Sequence, residues 1–228
     1  MCAVATRAAC YGPAMYQPDH GRFVAPDPAV SLTELAAMVP ATLVTVTTAG
    51  LAASILPMLF VPENGPLGTL RGHLARANPH WRELPGDVEA LAILSGPDAN
   101  VSPGLYETTR RTGRDVPTWN YTTVHAHGTI AVRDDPAWLL ALVRSLSDRH
   151  EAGRPEPWSV DDAPAEYIEG QLRAIVGVEL RISRLDAKHK LSQDRETADF
   201  AGVMAGFSAG SPNERAVADE MRRESPAR

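Results

Sequence analysis

A series of strand-like segments separated by short turns constrains the fold of this chain more than any other feature. Residues 41–48 (ATLVTVTT) are rich in β-branched side chains, and after a turn at 49–50 a second apolar segment continues to Val61. Further strands are predicted at residues 68–74, 88–95, 118–132 and 175–185. Since short turns join antiparallel strands, the pattern predicts a mainly β fold with peripheral helices, of the α+β class, built as a small barrel.

Helices are predicted at the edges of this sheet. Residues 31–34 (SLTE) form a capping box, which predicts a short helix that begins there and ends before Pro40. Asp135 followed by Pro136 predicts the start of a longer helix, since aspartate is a preferred N-cap and proline suits the first helical position. The predicted organisation is a flexible N-terminal extension, a single domain with its helices and a C-terminal helical tail, at residues 1–14, 15–208 and 209–228.

Charge and cysteine content narrow the function classes. The formal net charge is −6 and the pI is near 5.6, with no stripe of basic residues, so direct binding to nucleic acid is disfavoured. Cys2 and Cys10 are the only cysteines, which excludes a disulfide scaffold and a cysteine-based metal site in the body of the chain. The longest apolar segment, residues 51–61, is too short to cross a bilayer, so we expect no membrane contact and a cytoplasmic location.

Basic and polar side chains cluster in residues 70–81 (LRGHLARANPHW). Because side chains alternate along a strand, Arg71 and His73 point to the same face. An arginine and a histidine on one wall suit an anionic cofactor, and Arg76 and Asn78 follow at the turn into the next segment. The alternative is a solvated edge strand in which Asn78 is only a cap, and the spacing does not decide between the two.

Histidine and aromatic residues cluster in residues 116–128 (VPTWNYTTVHAHG). His125 and His127 are predicted to share one face of a strand, and Trp119 and Tyr121 to share another. Paired histidines can bind a metal, but the signal is weak without a nearby carboxylate. A structural or hydrogen-bonded role is therefore favoured for this pair.

Two further polar segments are predicted to be loops. Residues 96–103 (GPDANVSP) are rich in turn-forming residues, and Asp98 and Ser102 are expected to face a site there. Residues 188–195 (KHKLSQDR) form a charged loop just after a predicted strand.

Four segments in this order resemble the PaiB-like family, described as FMN-binding negative transcriptional regulators: GHLARANPHW, GPDANVSPGLY, VPTWNYTTVHAHG, and IVGVELRI followed by KLSQ. The resemblance extends from Met15 to about Phe207. It implies a split β-barrel homodimer with a cofactor in the groove between the subunits. The matching motifs imply cofactor contacts from Arg71, Arg76, Asn78, Trp119, Asn120, Tyr121, Ser192 and Gln193.

Four departures from the family pattern concern the cofactor. Members of the family usually carry histidine at the position of Ile55, and histidine and tyrosine at the positions of Asp98 and Asn100. Asp194 replaces an asparagine after the Ser-Gln pair. A carboxylate beside a flavin phosphate is electrostatically unfavourable. The substitutions therefore favour haem b over FMN, and drift within an ordinary flavoprotein is the alternative explanation.

Haem b is the cofactor of the piperazate synthases, which are similar to PaiB proteins in sequence. That resemblance implies a cyclase that forms an N–N bond, converting N5-hydroxy-L-ornithine to L-piperazic acid with loss of water, in peptide natural-product biosynthesis. His73 is then predicted as the axial iron ligand, with His125 as the second choice. Asp98 and Lys190 are predicted to hold or deprotonate the amine of the small amino-acid substrate. The alternatives are an FMN-binding PaiB-like transcriptional regulator and an FMN-dependent split-barrel oxidoreductase.

Overall fold

The computed structural model describes residues 15–16 and 22–225 of the 228-residue chain. The predicted flexible extension at residues 1–14 lies outside the described residues. Within them, seven strands form one antiparallel sheet: β1 (Ala41–Thr47), β2 (Gly50–Leu56), β3 (Met58–Val61), β4 (Thr69–Ala75), β5 (Val88–Val101), β6 (Thr118–Arg133) and β7 (Ile175–Lys190). The strand order is β2-β1-β5-β6-β7-β4-β3, and the sheet curls so that β2 contacts β4. The predicted α+β class is confirmed.

The described helices lie around this barrel: α1 (Pro28–Met38), α2 (Glu107–Thr112), α3 (Pro136–Glu151), α4 (Ala165–Leu172), α5 (Thr197–Ser208) and α6 (Pro212–Glu224). As predicted, α3 begins at Pro136, and the Asp135 carboxylate accepts the amide of Trp138 at 2.7 Å. No helix within the described ranges is long and apolar enough to span a bilayer.

The predicted start of the first helix is wrong. Helix α1 begins at Pro28, where the Asp27 carboxylate accepts the amides of Ala29 and Val30 at 2.9 and 3.3 Å. Asp27 satisfies the first amides before the SLTE box is reached, so Ser31 lies inside the first turn of the helix. Its hydroxyl contacts the Asp27 carbonyl and a histidine on β7 instead.

Two of the predicted loops are parts of strands. Strand β5 continues through Asn100 and Val101, with a β-bulge between Ser95 and Asp98 that accommodates Pro97. Strand β7 continues through Lys190, which pairs with Tyr121 on β6. The partner strand supplies the backbone hydrogen bonds in both cases, and local composition does not reveal such a partner.

The alternation predicted for β6 is partly wrong. The strand is regular from Trp119 to His127, so Trp119, Tyr121, His125 and His127 all lie on its outer face. The intervening residues, such as Val124, point into the barrel core. The prediction that the aromatic pair faces away from the histidines ignored that all four positions are odd-numbered.

Two hydrophobic clusters hold the fold together. The barrel interior contains buried side chains such as Leu43, Leu70 and Leu180. A second cluster joins α5 and α6 to the end of β5 and includes Phe207 and Met221, both fully buried. Helix α6 is therefore packed against the sheet over most of its length.

Candidate functional site

His73, the predicted iron ligand, lies on the outer face of β4 together with Arg71. Its imidazole is half-buried, and the Nδ1 atom is buried with no hydrogen-bond partner among the described residues. Burial lowers the pKa of His73, because the charged imidazolium loses hydration. The ring is therefore neutral at pH 7 and has one nitrogen that the fold does not use.

Gly177, next to His73, leaves space for the ring of Trp138 to pack on the sheet. Gly177 on β7 pairs with His73, and a Cβ on Gly177 would lie 2.2 Å from the Trp138 ring. Trp138 of α3 thus lies directly on the sheet beside the histidine. The Arg71 guanidinium is 5.9 Å from the centroid of the same ring, within range of a cation–π interaction.

Arg71 belongs to a charged cluster that sequence reasoning missed. Its Nε donates to Glu179 Oε2 at 2.8 Å, and Arg133 donates to Glu179 Oε1 at 2.5 Å. Burial acts to raise the pKa of Glu179, but the hydrogen bonds and charges of Arg133 and Arg71 outweigh it and lower the pKa. Two arginines thus share one carboxylate, and the cluster keeps one net positive charge. The sequence feature that could have predicted this cluster is the glutamate inside the apolar strand segment IVGVELRI, because a charged residue there needs a charged partner.

Arg76 and Asn78 make structural contacts. Arg76 donates to both carboxylate oxygens of Asp134, at 2.9 and 2.5 Å, and to two backbone carbonyls. The hydrogen bond with Asp134 raises the pKa of Arg76 and lowers that of Asp134. Asn78 accepts the amide of His80 and donates to Ser54, which matches the capping alternative. Either side chain would have to leave these partners to bind a cofactor.

Asp98 and Lys190, the predicted catalytic residues, are both hydrogen-bonded to Trp119. The Trp119 indole Nε1 donates to Asp98 Oδ1 at 3.1 Å, and Lys190 Nζ donates to the Trp119 carbonyl at 3.0 Å. Lys190 also donates to Thr118 Oγ1 at 2.5 Å. Burial lowers the pKa of Lys190, which increases the fraction of neutral amine available as a base. The strand pairing therefore brings an acid, an amine and an exposed indole together at one end of the sheet.

Three other predicted cofactor contacts stabilise this end of the sheet. Asn120 Nδ2 donates to Ser192 Oγ at 3.0 Å, and both side chains are buried on the face opposite Trp119. The Gln193 side chain bonds the Leu191 amide and the His189 carbonyl, closing the turn after β7. Tyr121 lies on the exposed side, with Lys188 Nζ 5.7 Å from its ring centroid. Of the polar motif residues here, the outward-facing ones are therefore the more accessible to a ligand.

The two predicted halves of the site lie at opposite ends of the β6–β7 ladder. His73 is beside Gly177, near the start of β7, whereas Lys190 is its last residue. At about 3.3 Å per residue the two positions are roughly 40 Å apart along the strand. One copy of the chain does not place His73 beside Asp98 and Lys190.

His125, the second choice for the iron ligand, lies midway along β6. Its ring centroid is 6.4 Å from that of His127, whose Nε2 is 3.3 Å from Asp186 Oδ2. Burial, followed by the neighbouring His127, lowers the pKa of His125. Within the described ranges, no group of three or more His, Cys, Asp or Glu residues is arranged to hold a metal ion.

Comparisons with known proteins identify the family. A family profile described as "Putative FMN-binding domain" matches residues 15–184. The chain belongs to this family. It is 30% identical over 155 residues to the Protease synthase and sporulation protein PAI 2 of Bacillus subtilis, covering 67% of this chain and 71% of that protein. The expected PaiB-like resemblance is thereby confirmed.

Two further relatives agree with this assignment. A protein of Aspergillus fumigatus is 38% identical over 174 residues, covering 61% of this chain, and the chain spans 66% of that protein's length. A crystal structure of a conserved hypothetical protein of Mycobacterium tuberculosis has the same fold, with a TM-score of 0.54 at 12% identity, covering 79% of this chain and 94% of that one. Family membership makes a bound cofactor the expected property of this split-barrel fold.

Proposed function

We propose that this protein is a haem b-dependent cyclase that converts N5-hydroxy-L-ornithine to L-piperazic acid and water. The observation that carries the proposal is the neutral imidazole of His73, with its buried and unpartnered Nδ1 atom. A neutral imidazole is the usual protein donor to haem iron. Burial also lowers the pKa of the paired histidines of β6, but the Asp186 carboxylate lies beside them, whereas His73 lies beside the cationic Arg71.

The charged cluster beside His73 suits the anionic groups of such a cofactor. Arg71 and Arg133 share only one carboxylate, so a propionate would find an uncompensated positive charge there. Arg76 is less suited, because Asp134 already neutralises it. The same positive charge would also accept a phosphate, so this cluster supports an anionic cofactor of either type.

The reaction is redox-neutral and its atoms balance. The α-amine nitrogen forms a bond to the hydroxylated nitrogen, the N–O bond breaks, and the hydroxyl leaves as water with one proton from the amine. Bound haem supplies Lewis-acid polarisation of the N–O bond. Lys190, whose pKa burial lowers, takes the amine proton, and Asp98 holds the amino group of the substrate.

A homodimer is part of the proposal, because one chain separates the two halves of the site. The outer face of β1 and β2 is apolar and open: Leu51 and Ile55 on β2 are 81% and 73% exposed, and Val46 on β1, which pairs with Leu51, is 56% exposed. A contiguous apolar surface of this kind is typical of a protein interface. A second copy on this face would bury it, and the proposal takes the missing half of each site from that copy.

The first test is an absorption spectrum of the protein purified from haem-replete cells, followed by extraction of the pigment. We expect one intense Soret band, its loss in His73→Ala, and its retention in the control His125→Ala. Full haem content in His73→Ala would exclude His73 as the ligand. A two-banded flavin spectrum would contradict the haem proposal and favour an FMN-binding regulator or oxidoreductase, which the family's description supports.

The activity itself is tested with the haem-loaded protein and N5-hydroxy-L-ornithine. We expect L-piperazic acid as the product and a reduction of kcat by about a hundredfold or more in Lys190→Met, which removes the base but keeps the apolar stem. Haem content should be unchanged in that variant, since the proposal assigns the iron to His73 and only the proton transfer to Lys190. A Lys190→Met protein with normal turnover would remove Lys190 from the mechanism.

A further inference from the structure

We propose that Ser31, His189 and Glu224 form a second catalytic site, which hydrolyses small carboxylic esters by a covalent route. Ser31 Oγ is 3.1 Å from His189 Nε2, and His189 Nδ1 is 2.5 Å from Glu224 Oε1. The order is hydroxyl, imidazole and carboxylate. As in a serine hydrolase, Nε2 of the imidazole contacts the hydroxyl and Nδ1 contacts the carboxylate. These residues come from α1, β7 and α6, far apart in sequence, and none belongs to the proposed cofactor site.

Each member of the triad has a defined role. Glu224 accepts the Nδ1 proton of His189, which fixes the tautomer in which Nε2 is an acceptor. Nε2 then accepts the Ser31 proton and makes the oxygen nucleophilic. Ser31 and His189 are only 4% and 8% exposed, so bulk water does not compete for these hydrogen bonds. The Ser31 hydroxyl has one proton, which it donates to His189 Nε2 in the reactive arrangement and to the Asp27 carbonyl, 3.2 Å away, in the alternative one.

A cavity of about 280 Å³ gives access to the triad. Ser31, His189 and Glu224 all line it, together with Arg223 and Glu34. This volume is below the usual range for drug-sized ligands, so the acyl group must be short. The chemical class of the substrate is therefore the ester of a short acid such as acetate.

Charge around the cavity selects the alcohol part of the ester. The first amides of α1 are taken by Asp27, so the proposal assigns the developing oxyanion to Arg223, a cation that lines the same cavity. Arg223 also donates a hydrogen bond to Glu220, so the two side chains form an ion pair at the cavity wall. Asp27 and Glu34 add carboxylates at the cavity wall, so an alcohol with a cationic group is favoured over a neutral one.

The proposed reaction consumes only the ester and water. Ser31 Oγ attacks the carbonyl carbon, the C–O bond to the alcohol breaks, and His189 transfers the serine proton to the leaving alcohol. Water then attacks the acyl-serine ester with His189 as the base, which releases the carboxylic acid and restores Ser31. No oxidant, reductant or metal is needed.

The barrel contains a matched control for this arrangement. His80 Nε2 lies 2.7 Å from Thr45 Oγ1 and His80 Nδ1 lies 2.8 Å from Ser54 Oγ. The hydroxyl–imidazole contacts are therefore similar, but neither nitrogen is hydrogen-bonded to a carboxylate. Ser54 should be unreactive, and Ser54→Ala serves as the control variant.

The test uses the full-length protein and a fluorophosphonate probe, with the labelled peptide identified by mass spectrometry. We expect an adduct on Ser31, no labelling of Ser31→Ala, unchanged labelling of Ser54→Ala, and labelling slower by a hundredfold or more in His189→Gln. Glu224→Gln, which keeps the shape of its side chain, should also slow labelling, and circular dichroism confirms its fold. A wild-type protein without an adduct on Ser31, or equal labelling of Glu224→Gln, would overturn the proposal.

The substrate class is tested by hydrolysis of acetylcholine against its neutral carbon isostere, 3,3-dimethylbutyl acetate. We expect a kcat/KM at least tenfold higher for the cationic ester. Equal values would overturn the assignment of a cationic alcohol. Ser31→Ala should lose the esterase activity and keep the wild-type haem content, so failure of the haem proposal and failure of this one are distinguishable.

Discussion

At the scale of single residues, Glu179 makes the stability of the fold depend on pH. Its folded-state pKa lies below the ordinary value of 4.5, because two arginines bond the charged form. Its contribution to the free energy of unfolding is therefore complete above pH 4.5 and is lost as the pH falls through the lower folded-state value. Charged hydrogen bonds of this kind contribute about 1.5–3 kcal/mol each.

The prediction is that Glu179→Gln lowers the free energy of unfolding at pH 7 by about 1–3 kcal/mol. The variant should also lose part of the acid sensitivity that the wild type shows below pH 4.5. Urea denaturation at several pH values measures both effects. Glu63→Gln, at an exposed position in the turn before β4, is the control and should follow the wild-type curve. Parallel pH profiles for Glu179→Gln and the wild type would contradict the prediction.

Single residues also show why one helix start was predicted correctly and another was not. Asp135 and Pro136 were identified as a cap and a first helical residue, and α3 begins there. Asp27 and Pro28 have the same pattern and begin α1. The SLTE sequence just downstream also matches the pattern of a helix N-cap. Asp27 forms the cap, and the Ser31 hydroxyl contacts His189 and the Asp27 carbonyl instead.

At the scale of secondary-structure elements, α6 supports the strand ends that carry Trp119 and Lys190. Met221 is fully buried in the cluster with Phe207, and its sulfur contacts the amide of Asn120. Asn213, at the other end of the helix, donates to the Asp98 backbone carbonyl. The helix therefore touches the segments on both sides of the proposed catalytic pair.

Met221→Ala should lower the free energy of unfolding by about 2–5 kcal/mol, because it leaves a cavity in this cluster. Met204→Ala, the same change at a half-buried position on α5, is the control and should cost less. Chemical denaturation followed by circular dichroism gives both values. Equal losses in the two variants would show that α6 is not packed as described.

Elements whose hydrogen-bond partners are remote in sequence were the hardest to predict. All the strands with apolar alternation were located from the sequence, since that signal is local. The ends of β5 and β7 were predicted as loops, because Gly96, Pro97 and the charged residues 188–190 resemble turn composition. Their strand structure depends on pairing with β6, whose register depends on the whole barrel.

At the scale of the whole molecule, the exposed face of β1 and β2 determines the predicted oligomeric state. We expect a homodimer by light scattering, and a monomer for Ile55→Glu, because a charge at the centre of an apolar interface is costly. Val116→Glu changes an equally exposed residue outside that face and should remain dimeric. The monomeric variant should also lose cyclase activity, since neither half of the site is complete in one chain. A wild-type monomer would contradict both expectations.

The motif order predicted the fold, the family and the candidate residues. It did not show on which face of the sheet, or at which end, each of these residues lies. Asn120 and Trp119 are neighbours in one motif, yet the strand pleat buries Asn120 and exposes Trp119. No cofactor contact was predicted at Arg133 or at Glu179, which lies inside the motif IVGVELRI, and the register of β4, β6 and β7 brings both to Arg71. Face and register are properties of the sheet, which a linear pattern only partly encodes.

The continuous ladder of β6 and β7 has an evolutionary consequence. His73 is at one end of it and the Asp98–Trp119–Lys190 group is at the other, so a mutation that reshapes one end leaves the other intact. Lineages that share this scaffold can therefore exchange their substrates while retaining their prosthetic group, or the reverse. Under the proposed function, substitutions at positions 98 and 100 would change the substrate end of the ladder without altering the surroundings of His73.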